Sequence, residues 1–206
     1  MYYSHRRSND LLIISEPFSL LAIEGDENTK KKLSFSEVNK GKKIIPDISI
    51  YKALKLCLLN STHILGAGKA ILSGFSTVKD AMNDDVFDTW IDGLMSEIDG
   101  SLTMEIDEGI KKVFGQNDIS RLANPFIEYH WSSITLNFTT RIKIRAIPLI
   151  EKFVNKFEKI PDKMCYVFAA YLRFSIPDMQ IGDQYFVTIN NTEFLIKIQI
   201  NFTKKY

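Results

Sequence analysis

The chain has 206 residues, 45% hydrophobic and 25% charged, enough apolar content for one sizeable core and far from the composition of a disordered chain. Its 26 basic and 25 acidic residues leave a net charge of +1, which supplies no global field for nucleic acid or an anionic membrane and points to a small-molecule partner. No run approaches the ~18 consecutive apolar residues of a membrane span. The LLII after the basic start MYYSHRRSND is too short, and lacks the small-residue cleavage site, for a signal peptide.

In chain order, residues 1–15 give no assignable element and no Gly-rich phosphate loop. Phe18–Glu24 (FSLLAIE), closed by Gly25, has the pattern of a buried strand. Asp26–Lys43 is polar and lysine-rich, with Lys30, Lys31, Lys32, Lys40, Lys42 and Lys43, and reads as a solvated loop rather than a phosphate site. Ile44–Ile48, interrupted by Pro46, delivers the chain to its central element. That element runs from Tyr51 to His63 (YKALKLCLLNSTH), has no Gly or Pro and is dense in helix formers, which predicts a helix with most of its surface buried.

On an α-helix, Asn60 lies about 140° and His63 about 80° round the axis from Lys55, so the three share one broad face. Leu54, Leu58 and Leu65 line the opposite side, and Leu56, Cys57 and Leu59 leave little circumference for water. A lysine enclosed in this way is desolvated, which favours the neutral form that accepts a proton. The bland alternative is a lysine that snorkels to the surface along its own stem, beside a satisfied Asn and His.

The helix should continue to about Leu72. Its Gly66-Ala67-Gly68 triplet follows a helix instead of a strand, so it is no dinucleotide fingerprint and is better explained by close packing against another backbone. Ser76 is the expected N-cap of TVKDAM, and Asp84 or Asp85 that of VFDTWIDGLMSEI, with Val86, Trp90, Leu94 and Ile98 as its core stripe. Asp107–Leu122 is a further helix with a break expected near Gly115, ended by Asn124-Pro125. Pro148 should kink or begin a helix within TTRIKIRAIPLIEKFVNKF. Ile160-Pro161-Asp162 opens KMCYVFAAYLRF, apolar almost all round and so expected to be central. Past Ile176-Pro177, YFVTINNTEFLIKIQINF alternates about Asn190-Asn191 as a β-hairpin does. Cys57 and Cys165 read as small buried hydrophobes, which suits a reducing, cytoplasmic setting. The fold class is therefore mainly α, with a short N-terminal strand region and a C-terminal hairpin.

Lys55, Asn60 and His63, followed by VKDAMND (Val78–Asp84) and RLANPFIEYHWSSITLN (Arg121–Asn137), resemble the C-terminal domain of the mannitol dehydrogenase family of long-chain polyol and sugar-acid dehydrogenases, and within it the tagaturonate (altronate-forming) branch. The motifs fall in the family's order between about Glu16 and Phe174. The resemblance implies a helical substrate domain of the 6-phosphogluconate-dehydrogenase-like type at 44–176, after a lead-in at 1–43 and before a divergent tail at 177–206. It also implies NAD as cofactor, no metal, and a keto-sugar acid or polyol as substrate. Lys55 would be the general base or acid, and Asn60 and His63 would orient the reacting oxygen. Arg141 stands where the family has a second active-site lysine and would bind substrate.

No GxGxxG follows a strand anywhere in the chain, so the reading expects the family's nucleotide-binding Rossmann domain to be absent, and the chain to be inactive without it. Two other readings compete with this one. In the first the chain is a helical interaction protein or remnant that retains the three residues only by descent; in the second it is one subunit of a split dehydrogenase completed by a separate Rossmann domain.

Overall fold

The computed structural model describes residues 19–39, 41–103, 106–122, 124 and 128–196. Its first unit, Met1–Ile48, contains β1 (Leu21–Glu24), α1 (Glu27–Lys32), α2 (Phe35–Val38) and β2 (Lys42–Ile45). The two strands pair in parallel, Leu21 opposite Lys42 through Glu24 opposite Ile45. Parallel strands cannot be joined by a tight turn, so the lysine-rich segment read as a solvated loop instead makes the crossover. Asp26 caps α1 by accepting from the Thr29 amide at 2.9 Å, and Lys30–Lys32 occupy its last turn, where cations suit the helix dipole. High polarity hid these short elements from a reading based on hydrophobic periodicity. The strand's expected start at Phe18 lies outside the described residues.

The second unit, Ser49–Tyr206, is built on one continuous helical rod. It comprises α3 (Ser49–Leu54), a π-helical stretch (Lys55–Asn60) and α4 (Ser61–Leu72). Round it lie α5 (Val78–Met82), α6 (Asp85–Gly100), α7 (Glu108–Leu122), α8 (Trp131–Ile134) and α9 (Phe138–Arg141). A second π-helical stretch (Ile142–Ala146), α10 (Ile147–Phe157) and α11 (Asp162–Ser175) follow. The antiparallel sheet of β3 (Met179–Ile181), β4 (Gln184–Ile189) and β5 (Thr192–Ile196) comes last, in the order β3-β4-β5. The mainly α class and the C-terminal hairpin expected from the sequence are both present.

Helix α4 is the centre of the core, packed against α6, α8 and α11. Leu65, Ala67 and Ala70 have no exposed surface, and the partners bring Ile91, Trp131 and Val167, all at 0%. Each large apolar side chain so buried contributes about 1.5–3 kcal/mol. The two glycines permit this approach. A Cβ on Gly66 would sit 3.1 Å from Ile91 Cδ1, and one on Gly68 would sit 3.1 Å from Ala170 Cβ, so both positions are close-packed, as the sequence suggests.

The helix ends in a Schellman turn. The Phe75 amide donates to Ala70 O and the Gly74 amide to Ile71 O, both at 3.0 Å, with Gly74 at φ +90° where a side chain is disfavoured. From the far end of the chain, the Asn190 side-chain amide donates to Ile71 O at 3.2 Å. It thereby satisfies a carbonyl at the helix terminus. Asn190 and Asn191 form the β4–β5 turn at φ 50° and 62°, the left-handed conformation that this turn requires.

Several expectations shift in detail. Thr77, not Ser76, caps α5 by accepting from the Asp80 amide. Asp84 caps α6 through the Phe87 amide. The buried stripe of α6 is Phe87, Ile91, Leu94, Met95 and Ile98, while Val86 is 74% exposed, because a strict period of four drifts round a helix that turns every 3.6 residues. Helix α7 runs through Gly115 unbroken. Pro125, expected to end that region, is outside the described residues, as is everything after Ile196. Helix α11 buries one face only, through Met164, Val167, Ala170, Tyr171 and Phe174, and leaves Leu172 47% exposed. Its amino end is capped by Glu97 of α6, whose carboxylate oxygens accept from the Lys163 and Met164 amides at 2.9 Å each.

Candidate active site

The three residues singled out by spacing lie on the central rod, but the rod is not α-helical where they begin. Lys55 and Asn60 open and close the first π-helical stretch. In that register the backbone bonds from i to i+5, so residues five apart lie nearer each other round the axis than the about 140° that separates them on an α-helix. His63 follows three residues later in α4, on the adjoining part of the same side. A register change strands carbonyls, and Ser61 meets that need: its hydroxyl donates to Leu56 O at 2.9 Å and its amide to Leu58 O. Ser61 is 1% exposed, and nothing in its residue type or spacing marks it for this part.

Lys55 is exposed and Leu56 beside it is 49% exposed, while Leu54, Leu58, Leu59 and Leu65 are buried. The enclosure expected of Lys55 is therefore missing in this chain, because the circumference assigned to Leu56 and Cys57 is open. Neither the Lys55 ammonium nor the Asn60 amide has a hydrogen-bond or ionic partner among the described residues. Both can take a substrate oxygen.

His63 is half-buried and its Nδ1 lies 2.8 Å from Leu59 O. A carbonyl can only accept, so Nδ1 carries the proton and Nε2 of the neutral ring presents its lone pair. Burial holds the ring below its ordinary pKa of 6.5; the Leu59 hydrogen bond opposes this, and the Arg121 charge adds to it. The Tyr129 ring meets the imidazole edge-on, with centroids 6.2 Å apart. Arg121 and Tyr129 both fall within the RLANPFIEYH segment, yet their proximity to His63 follows only from the fold. Among the described residues, the bridge between Thr77 and His130 and the bond from the Val78 amide to Tyr129 O at 2.9 Å hold that segment in place.

Arg141 ends α9, and its Nη1 donates to Ile134 O at 2.8 Å. No hydrogen bond or ring contact among the described residues joins it to Lys55, Asn60 or His63. Cys57 lies within the same π-helical stretch; it is a free, half-buried cysteine, as is Cys165. Burial pushes the Cys57 thiol up, against the opposing charges of Lys152 and Arg145. No group of three or more His, Cys, Asp or Glu among the described residues could hold a metal. The glycines of α4 are packed against apolar side chains, and the β1-to-α1 turn holds a single glycine, Gly25. The described residues therefore do not fit a dinucleotide pyrophosphate. Among them, no helix is long and apolar enough to cross a membrane.

The elements define a mainly helical domain built round one central rod. The model of the mannitol dehydrogenase C-terminal domain matches residues 47–203, which includes the terminal sheet as well as the helices. The chain belongs to that family. Altronate oxidoreductase of Bacillus subtilis is 28% identical over 166 residues, 81% of this chain and 34% of that protein. The altronate oxidoreductase of Yersinia enterocolitica is 29% identical over 167 residues, with the same two shares, 81% and 34%. The chain thus spans about a third of the length of these relatives. Among solved structures, a Pseudomonas fluorescens mannitol 2-dehydrogenase in ternary complex with NAD and D-mannitol aligns at a TM-score of 0.58 and 19% identity, over 72% of this chain and 30% of that one. A substrate-free D-sorbitol dehydrogenase aligns at 0.56 and 17%, over 64% and 27%. At those identities the likeness speaks for the fold.

Proposed function

We propose that this chain is the substrate-handling domain of an NAD-dependent reductase acting on a keto-sugar acid, of the tagaturonate-to-altronate kind, in a cytoplasmic setting. The observation that carries the reading is the unengaged Lys55 and Asn60 at the two ends of the first π-helical stretch, followed by a His63 whose tautomer leaves Nε2 bare, in a chain whose relatives are altronate oxidoreductases. The hydride chemistry belongs to an NAD held outside this chain's described residues. Lys55 delivers the proton to the nascent alkoxide. Asn60 donates its side-chain N–H to the same oxygen, and His63 Nε2 accepts from a neighbouring hydroxyl. Arg141, once released from Ile134 O, offers a planar fork to the substrate carboxylate.

The open flank at Lys55 and Leu56 is what a site looks like when one wall comes from another body, which favours completion by a nucleotide-binding partner. The test is complementation: this chain mixed with the nucleotide-binding part of the Bacillus subtilis altronate oxidoreductase, NADH and tagaturonate. Oxidation of NADH that depends on both components is expected, with no micromolar NADH binding by the chain alone. Equal turnover with Lys55→Ala would sink the assignment. The second reading, a helical interaction protein, draws on the same exposed Leu56 and on the apolar face of α11 at Phe168 and Leu172. A stable complex with the nucleotide-binding part that never turns over would favour it.

A further inference from the structure

A cavity of about 320 Å³ opens between the α8–α9 turn, the end of α11 and β5, and its lining includes none of Lys55, Asn60, His63 and Arg141. Its apolar lining is aromatic. Phe138 and Phe174 are buried, their centroids 5.8 Å apart, and Phe194 meets Phe174 at 5.5 Å. Beside Ser132 and the hydrogen-bonded Thr135 and Thr139, its polar side chains are Asn137, Thr140, Ser175 and the Glu193 carboxylate. The side chains of Asn137, Thr140, Ser175 and Glu193 have no hydrogen-bond or ionic partner among the described residues. Asn137 is also held at φ 58°, a left-handed conformation that lifts its side chain off the helix it precedes and that only a few residue types tolerate. A size near the lower end for ligand sites, an aromatic lining and a few convergent polar groups are the features of a small-molecule pocket.

The polar set selects the ligand. The unengaged Thr140 and Ser175 hydroxyls, an amide and a carboxylate can donate to and accept from several ligand hydroxyls at once, and aromatic carbon suits the C–H surface of a sugar ring. No Lys or Arg is among the described lining residues, and Glu193 repels a second carboxylate. We infer that this cavity binds a neutral monosaccharide, at a site separate from the one that takes the sugar acid. The inference does not depend on the proposed reaction.

Saturation-transfer NMR on the full chain tests it, with D-glucose and D-glucuronate as probes, two rings that differ in a hydroxymethyl against a carboxylate. Saturation of D-glucose at millimolar concentration is expected, with D-glucuronate weaker. Asn137→Gly keeps the left-handed backbone, so the fold is retained while the amide is lost, and D-glucose should bind about fivefold more weakly. Glu193→Gln should narrow the gap between the two sugars, and Lys55→Ala should leave the D-glucose signal unchanged. No signal from D-glucose, preference for D-glucuronate, or a D-glucose signal indifferent to Asn137→Gly and Glu193→Gln would each overturn the proposal. So would loss of that signal in Lys55→Ala.

Discussion

The second unit contains two π-helical stretches, Lys55–Asn60 and Ile142–Ala146, and they exist for different reasons. The second immediately precedes Pro148, in the first turn of α10. Proline has no amide to donate and its ring crowds the carbonyl four residues back, here Ile144, and a widened turn relieves that crowding. The first has no such excuse, because no proline lies between Pro46 and Pro125. Its extra width is stabilised from outside, by the buried Ser61 hydroxyl on Leu56 O, and its product is a smaller angle between Lys55 and Asn60 than an α-helix would give. A π turn that local sequence does not demand, held by a dedicated hydrogen bond, marks function more strongly than one that a proline explains.

The comparison breaks first at Lys55. In the complemented enzyme Lys55→Ala should lower kcat by about 10²- to 10⁴-fold, the usual contribution of a positioned acid or base. Because the side chain is exposed, its loss should shift stability by no more than about 0.5 kcal/mol; a large drop in melting temperature with near-normal turnover would make Lys55 structural. Next, Ser61→Ala should remove the hydroxyl bond to Leu56 O that stabilises the wide turn. Circular dichroism should show the helix intact while turnover falls about tenfold. Retained turnover would mean that the π register has no part in the site.

His63 gives a smaller effect with a definite sign. Its folded pKa lies below the unfolded 6.5, so the unfolded ring takes up a proton first. The stabilising contribution is full above 6.5 and is lost as pH falls through the depressed folded value. Melting temperature should therefore decline below about pH 6.5, and His63→Gln should flatten that part of the profile. An identical decline in the variant would assign it to other groups. Smallest is Pro148→Ala, expected to change stability by less than about 1 kcal/mol and turnover not at all. If it abolished turnover, the two stretches would share a function and the contrast would fail.

Much of this was legible in the residues. Helix caps at Asp84, the Asn190-Asn191 turn and the packing glycines of α4 are local rules, and local rules survive folding. Lys55, Asn60 and His63 could be found by interval and by family resemblance. The π register could not, because nothing in KLCLLN distinguishes five-residue from four-residue bonding; the preference comes from Ser61 and from packing. Nor could the neighbours of His63, since Arg121 and Tyr129 reach it through the bridge at Thr77 and His130, not through spacing. The crossover α1–α2 was missed because polar lysines obscure periodicity, and the half-exposed α11 because an all-apolar stretch does not say which face will find a neighbour.

The bond from Asn190 to Ile71 O spans 119 residues. The turn that reaches the carboxyl end of the rod follows the helices of its unit in the chain, so this bond waits for all of them, and loop-closure entropy for so long a separation slows it further. A chain cut just before β3 should keep its helices while the carboxyl end of α4 opens more often, seen as faster amide exchange at Ser73–Phe75 than in the full chain.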